Sequence, residues 1–117
     1  MTLMEVMIVV IILAILAAFA LPQYQRTMDQ ARLRQAEDML QTIRAAEIVY
    51  WSRNNHYLAP TTWDQLLMDP PGGNGVTYAI SSVAGQGTAA TFTATAQDPN
   101  GQTKILNEKN EWSGTWN

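Results

Sequence analysis

From Val6 to Leu21 the chain has no charged or polar side chain. Together with the residues before it, this run makes a 21-residue segment, Met1 to Leu21. As a helix such a segment spans ~31 Å, about the hydrocarbon thickness of a bilayer. The full chain has 117 residues, enough for one ordinary domain and too few for a multidomain enzyme. Charged residues make up 15% of it, against about 25% in an average soluble protein. The mean hydropathy of -0.11 is an average over two unlike halves, because the sequence beyond Pro22 is markedly polar. A uniform globular core is therefore excluded. A secretory signal peptide would carry a basic stretch ahead of its apolar run, and no Lys or Arg precedes this one. The expectation is a chain from which a short leader has already been removed. Arg26, just beyond the run, does not fix orientation, since that leader would have contributed to the charge balance.

Charge and cysteine content exclude further classes. The net charge is -3, and the arginines between Arg26 and Arg53 are interleaved with Asp29, Glu37, Asp38 and Glu47. No basic face accumulates, so binding nucleic acid by counterion release has no visible surface. The chain has no cysteine, which removes disulfides, Cys-ligated zinc and thiol catalysis together.

Helical pattern resumes directly after Pro22. Leu33, Ala36, Leu40, Ile43, Ala46 and Tyr50 recur every three or four residues and line one face. Arg34, Asp38, Gln41 and Arg44 fall opposite. The spacing predicts one helix from Met1 to about Asn54, kinked near Pro22 where a hydrogen bond is missing and the ring clashes. At ~80 Å it is far longer than a domain of this size can bury, so its apolar half must be covered by lipid or by other protein. Asn54-Asn55 is a helix stop and Ala59-Pro60-Thr61 opens a loop, in which Trp63, Leu66 and Leu67 form a candidate packed turn. Asp69-Pro70-Pro71-Gly72-Gly73-Asn74-Gly75 breaks the chain again, and the period then changes to two. Val76, Tyr78 and Ile80 alternate first; Ala90, Phe92, Ala94 and Ala96 then alternate with threonines. Asp98-Pro99-Asn100-Gly101 is a hairpin turn. Lys104-Ile105-Leu106 is a third strand and Glu111 to Trp116 a weaker fourth. Three or four such strands cannot hide an apolar face alone, and the second half of the helix is the candidate cover. The expected class is α+β: one long amino-terminal helix, its carboxy-terminal half packed on a three- or four-stranded antiparallel sheet. The organisation reads as 1–24 apolar half-helix, 25–54 amphipathic half-helix, 55–75 connecting loop and 76–117 sheet.

Glu5 is the one ionisable side chain within the apolar segment. A carboxylate in hydrocarbon costs several kcal/mol unless it is paired. Two readings follow. In one, Glu5 sits at the membrane interface where water reaches it. In the other, it has a partner inside a protein assembly, and the only cation nearby is the α-amino group of Met1. Paired to that amine on a neighbouring chain, Glu5 would lose its charge penalty and set the axial stagger between subunits.

Thr2-Leu3 and Glu5, then Met7-Ile8-Val9-Val10-Ile11-Ile12, Ala14-Ile15-Leu16-Ala17-Ala18 and Ala20-Leu21-Pro22 with Tyr24, resemble the mature amino terminus of type IV pilins. The likeness covers about the first 25 residues and extends to the pseudopilins of type II secretion. It implies the pilin fold, cleavage of a prepilin leader before residue 1 by a prepilin peptidase, and N-methylation of Met1. It also implies polymerisation into a helical filament with the amino-terminal helices bundled in the core. Under that resemblance the assembly residues are Met1, Thr2, Glu5 and Pro22, with Pro22 the irregularity that lets the helix adjust. The chain departs from the pattern in beginning with Met rather than Phe, in Ala14 where many pilins have glycine, and in lacking a carboxy-terminal disulfide loop.

Other residues carry less. His56 is the single histidine and reads as a loop residue at the helix end. Asp64, Asp69 and Asp98 lack the spacing of a calcium loop. Tyr50, Trp51, Tyr57 and Trp63 read as packing where helix, loop and sheet meet, with Tyr24 apart from them. Ser113 has no base near it, so no catalytic residues, cofactor or metal are expected. The reading is a structural subunit of a type IV pilus-like filament, a homo-oligomer assembled by an ATPase-driven machine. Its precursor would reside in the bacterial inner membrane and its product outside the cell. The alternatives are a pseudopilin in a periplasmic type II secretion fibre and a monomeric membrane-anchored binding domain.

Overall fold

The computed structural model describes residues 2–116. One helix, α1 (Leu3–Asn54), is followed by four strands: β1 (Thr77–Ala84), β2 (Thr91–Gln97), β3 (Thr103–Asn107) and β4 (Trp112–Gly114). The chain divides into two compact units, Met1–Ala31 and Arg32–Asn117.

In the first unit the side chains of α1 stand open. Fourteen large apolar residues between Leu3 and Leu21 are 43% to 80% exposed, and none of the unit's described residues is buried. The helix runs unbroken through Pro22. Proline has no N–H, so the Ala18 carbonyl lacks its usual donor there. One turn further on, the Thr27 hydroxyl donates to the Gln23 carbonyl at 2.9 Å.

In the second unit the strands form an antiparallel meander in the order β1-β2-β3-β4. The period-two pattern lies where the sequence places it: Phe92, Ala94 and Ala96 of β2 are buried, and Thr93 and Thr95 are only half-buried. Ala36, Leu40 and Ile43 of α1 join them with Val76, Leu106 and Trp116 in one core. The short side chains of Ala94 and Ala96 leave room in that core for the larger Leu40 and Phe92. The α1 end is held by two reciprocal bonds. The Trp51 indole N–H donates to the Gly87 carbonyl at 2.9 Å, and the Gly87 N–H donates to the Asn55 carbonyl at 2.8 Å.

Two expectations need correcting, in the connecting loop and at the fourth strand. The turn in the connecting loop, Trp63–Leu66, does form and buries Leu66, but Leu67 ends it in the left-handed conformation and is 79% exposed instead of packed. The expected alternation of Val76, Tyr78 and Ile80 holds into β1, and beyond Ser81 a bulge with Ser82 at φ 53° shifts the register and lets Val83 reach the core. The fourth strand is only Trp112–Gly114, shorter than Glu111 to Trp116. At Gly114, φ is 109° and an added Cβ would lie 2.3 Å from the Thr103 carbonyl oxygen. That close approach lets the chain turn so that Trp116 enters the core and donates its N–H to the same carbonyl at 2.9 Å.

Candidate assembly site

The sequence pointed to Met1, Thr2, Glu5 and Pro22. Met1 lies outside the described residues. Thr2 and Glu5 meet in a reciprocal cap: the Thr2 N–H donates to Glu5 Oε2 at 3.1 Å, and the Glu5 N–H donates to Thr2 Oγ1 at 3.3 Å. The first turn of a helix has N–H groups with no partner inside the helix, and this arrangement satisfies one of them while binding the chain ahead of it. The carboxylate also sits at the positive end of the helix dipole. The threonine-x-x-glutamate spacing ahead of an apolar run is legible in the sequence, and it gives Glu5 a partner beside the amine and the water that its charge alone suggests. Pro22 lies a full apolar stretch away on α1 and touches neither residue, so of the expected assembly set the fold brings together Thr2 and Glu5.

Beyond this cap the helix offers only hydrocarbon. Its apolar window has a mean hydropathy of 2.9 and is 0% buried, which makes it long and apolar enough to cross a membrane. Covering fourteen large side chains at ~1.5 kcal/mol each would gain on the order of 20 kcal/mol. The exposed surface therefore dominates the energetics of this unit.

A second carboxyl, in the other unit, was missed as a buried group. Glu47 is fully buried, on the same face as Ala36, Leu40 and Ile43. Its Oε2 accepts the Leu58 N–H at 2.9 Å, while Oε1 is buried without a partner. Desolvation pushes its pKa up to about 7, against a smaller lowering by the Leu58 bond. The signal lies in the spacing, since residue 47 falls four after Ile43, although in the sequence Glu47 stands out only as one of the acids interleaved with the arginines. Around it, Arg44 donates to the Glu108 carbonyl at 3.2 Å. The Tyr57 phenol is raised, first by burial and then by Glu108, with Arg44 acting against them.

The aromatics pack as expected. Trp51 stacks on Tyr57 at 6.4 Å between ring centroids, Tyr57 meets the edge of Phe92 at 4.7 Å, and Tyr50 meets His56 at 5.6 Å, whereas Tyr24 is exposed. Among the described residues no three His, Asp or Glu side chains converge as a metal site would require. Asp98 uses Oδ1 to accept the N–H groups of Asn100 and Gln102 and so shapes its own turn.

Residues 22–106 match the family described as type IV minor pilin ComP, DNA uptake sequence receptor. The chain belongs to the type IV pilin family. It is also 38% identical over 73 residues to the type II secretion system core protein G of Pseudomonas aeruginosa. That match takes in 62% of this chain and 51% of the relative, so the chain spans about half the length of the curated protein it matches. No solved structure matches it significantly. Pilins and pseudopilins are structural, filament-forming subunits, and this pilin has the long helix and four-stranded antiparallel sheet that go with that role. Its apolar helix fits anchoring in a membrane.

Proposed function

We propose that this pilin polymerises into a type IV pilus-like helical filament through its amino-terminal helix. The observation that carries the reading is the uncovered apolar face of α1 from Leu3 to Leu21, headed by a single capped carboxylate. In the bilayer, lipid covers that face. In the filament, the helices of neighbouring subunits cover it and close packing replaces lipid contacts. Glu5 then exchanges its Thr2 contact for the terminal amine of an adjacent subunit, a stronger charge-assisted pairing. Met1 is the methylated terminus after leader cleavage, Thr2 holds Glu5 until the exchange, and Pro22 is where the helix adjusts. The precursor waits in the inner membrane, and a prepilin peptidase and an assembly ATPase act on it.

Glu5→Ala tests this directly. It should abolish fibres in the sheared cell-surface fraction while membrane fractionation still finds the full amount of inserted subunit. Normal fibres from that variant would overturn the pairing.

A second reading rests on the identity to core protein G: a pseudopilin in a periplasmic secretion fibre. Immunogold labelling separates the two, with label on surface fibres for a pilus and label confined beneath the outer membrane for a secretion fibre. The uptake-receptor role in the matched family's description is not carried over. Residues 32–117 hold six Lys and Arg against eight Asp and Glu, which is no footprint for a polyanion.

A further inference from the structure

Two asparagine-glycine pairs stand in the turns of the sheet-bearing unit, Asn74-Gly75 before β1 and Asn100-Gly101 between β2 and β3. Such a pair is reactive for a steric reason. Glycine has no Cβ to shield its own backbone nitrogen, so that nitrogen can reach the carboxamide carbon of the asparagine before it. All four residues are exposed, and water reaches both pairs. What separates them is the backbone.

At the second pair every N–H from Asp98 to Gln102 is committed. The Asp98 N–H donates to the Gln102 carbonyl at 2.9 Å, and the Gly101 N–H donates to the Asp98 carbonyl at 3.1 Å. Asp98, only 4% exposed, accepts the Asn100 N–H at 3.1 Å and the Gln102 N–H at 2.7 Å through Oδ1. Attack by the Gly101 nitrogen has to undo that turn first. At the first pair the Gly75 N–H has no acceptor among the described residues. Gly73, Asn74 and Gly75 in succession have φ of 101°, 56° and 75°. Asparagine tolerates that conformation better than most side chains do. An added Cβ at Gly72 or Gly73 would meet nothing within 4 Å, so the chain ahead of Asn74 is unconfined. One bond fastens the loop: Asn74 Nδ2 donates to Gln35 Oε1 of α1, which engages only the amide nitrogen.

We propose that Asn74 is a self-modifying site, converted to aspartate and isoaspartate by its own neighbour, while Asn100 is protected by its turn. The Gly75 nitrogen gives up its proton and bonds to Cγ of Asn74. The Cγ–Nδ2 bond breaks, and Nδ2 leaves as ammonia with that proton. One water then opens the cyclic imide at either carbonyl, giving aspartate or, with the chain rerouted through the side chain, isoaspartate. The products differ from the parent where the loop is fastened. A carboxylate has no hydrogen to donate to Gln35 Oε1, and it adds one negative charge to a chain of net charge -3. Isoaspartate also lengthens the backbone by one carbon next to Gly75, which lies so near Pro99 that an added Cβ would stand 2.8 Å from its Cγ. The reaction thus loosens the loop from α1 and from the β2–β3 turn, independently of the filament reading.

Both pairs fall in one tryptic peptide, residues 54–104, so they are read side by side. The full chain in detergent micelles is aged at mildly alkaline pH and briefly digested. Fragmentation mass spectrometry then counts the gain of one mass unit at each asparagine. Each rate is taken relative to the same asparagine in the chain unfolded by urea. On that scale Asn74 should convert roughly tenfold faster than Asn100 in the folded chain. Equal relative rates, or a faster Asn100, would overturn the proposal, and so would an Asn74 that stays intact while the unfolded chain converts. Isoelectric focusing gives a second readout. The aged chain should acquire a more acidic band, and Asn74→Gln, whose longer side chain closes the ring far less readily, should not. An equally strong acidic band from Asn74→Gln would sink the assignment, because the new charge would then arise elsewhere.

Discussion

One helix meets two opposite fates in this molecule. From Leu3 to Leu21 it is almost wholly apolar, and it buries none of those side chains. From Arg32 to Asn54 polar and apolar residues are evenly mixed, and Ala36, Leu40, Ile43 and Glu47 are completely buried. Residue type alone therefore does not say where a side chain ends up. The arrangement does. Apolar residues on every side of a helix leave no single face for a sheet to cover, whereas a stripe repeating every three or four residues gives the sheet one. The two glutamates make the same point. Glu5 lies in the apolar half and is exposed, and Glu47 lies in the mixed half and is sealed.

The sharpest way to break the comparison is to make the same truncation in both halves. Leu40→Ala removes a fully buried side chain from the core and should destabilise the sheet-bearing unit by about 2–5 kcal/mol. Leu13→Ala removes one that is 59% exposed and should leave that unit's unfolding unchanged. Thermal unfolding of the full chain in detergent, followed by near-ultraviolet circular dichroism, compares the two. A similar loss from both would mean that the apolar half contributes to the folded core after all.

Much of this contrast was readable beforehand. The apolar run, the stripe from Leu33 to Tyr50, the stop at Asn54-Asn55 and the buried alternation of Phe92, Ala94 and Ala96 follow from periodicity and turn residues, which are local properties. What escaped depends on groups far apart in sequence. Glu47 falls on the buried face by its spacing, but the Leu58 N–H that partners its carboxyl comes from the loop, eleven residues on. Gly114 is needed because the Thr103 carbonyl lies against it. Leu67 is exposed because the chain turns left-handed at that residue, which neither its type nor its neighbours dictate. The Thr2–Glu5 cap is the exception. It is local, and its threonine-x-x-glutamate spacing is legible in the sequence.

The buried glutamate gives the next largest effect, and its sign distinguishes it from an ordinary ion pair. A folded-state pKa of about 7, against 4.5 for the free group, means that the folded chain binds the proton more tightly than the unfolded chain. Its contribution is fully favourable below the unfolded value and is lost as pH rises toward 7. Across that window stability should fall by on the order of 3 kcal/mol and then level off. Glu47→Gln keeps an oxygen for the Leu58 N–H, removes the charge and should flatten the profile. Urea unfolding of both chains between pH 5 and 8 measures the difference. An equal slope in the variant would assign the pH dependence to another group.

The smallest expected effect lies in the other half, at the cap. Thr2→Ala deletes the hydroxyl that accepts the Glu5 N–H but leaves the first backbone bond of the helix, from the Val6 N–H to the Thr2 carbonyl, in place. Caps of this kind contribute about 1 kcal/mol, so the Glu5 amide should exchange its hydrogen roughly fivefold faster. Thr2→Ser should restore the slower rate, because any hydroxyl at that position can accept the bond. Unfolding of the sheet-bearing unit should be untouched by either change, since both bonds of the cap lie within the first turn of α1. Exchange measured on the full chain in micelles would show whether the cap is made there. An unchanged Glu5 rate in Thr2→Ala would mean that Glu5 has already given up Thr2 for another partner before any filament forms.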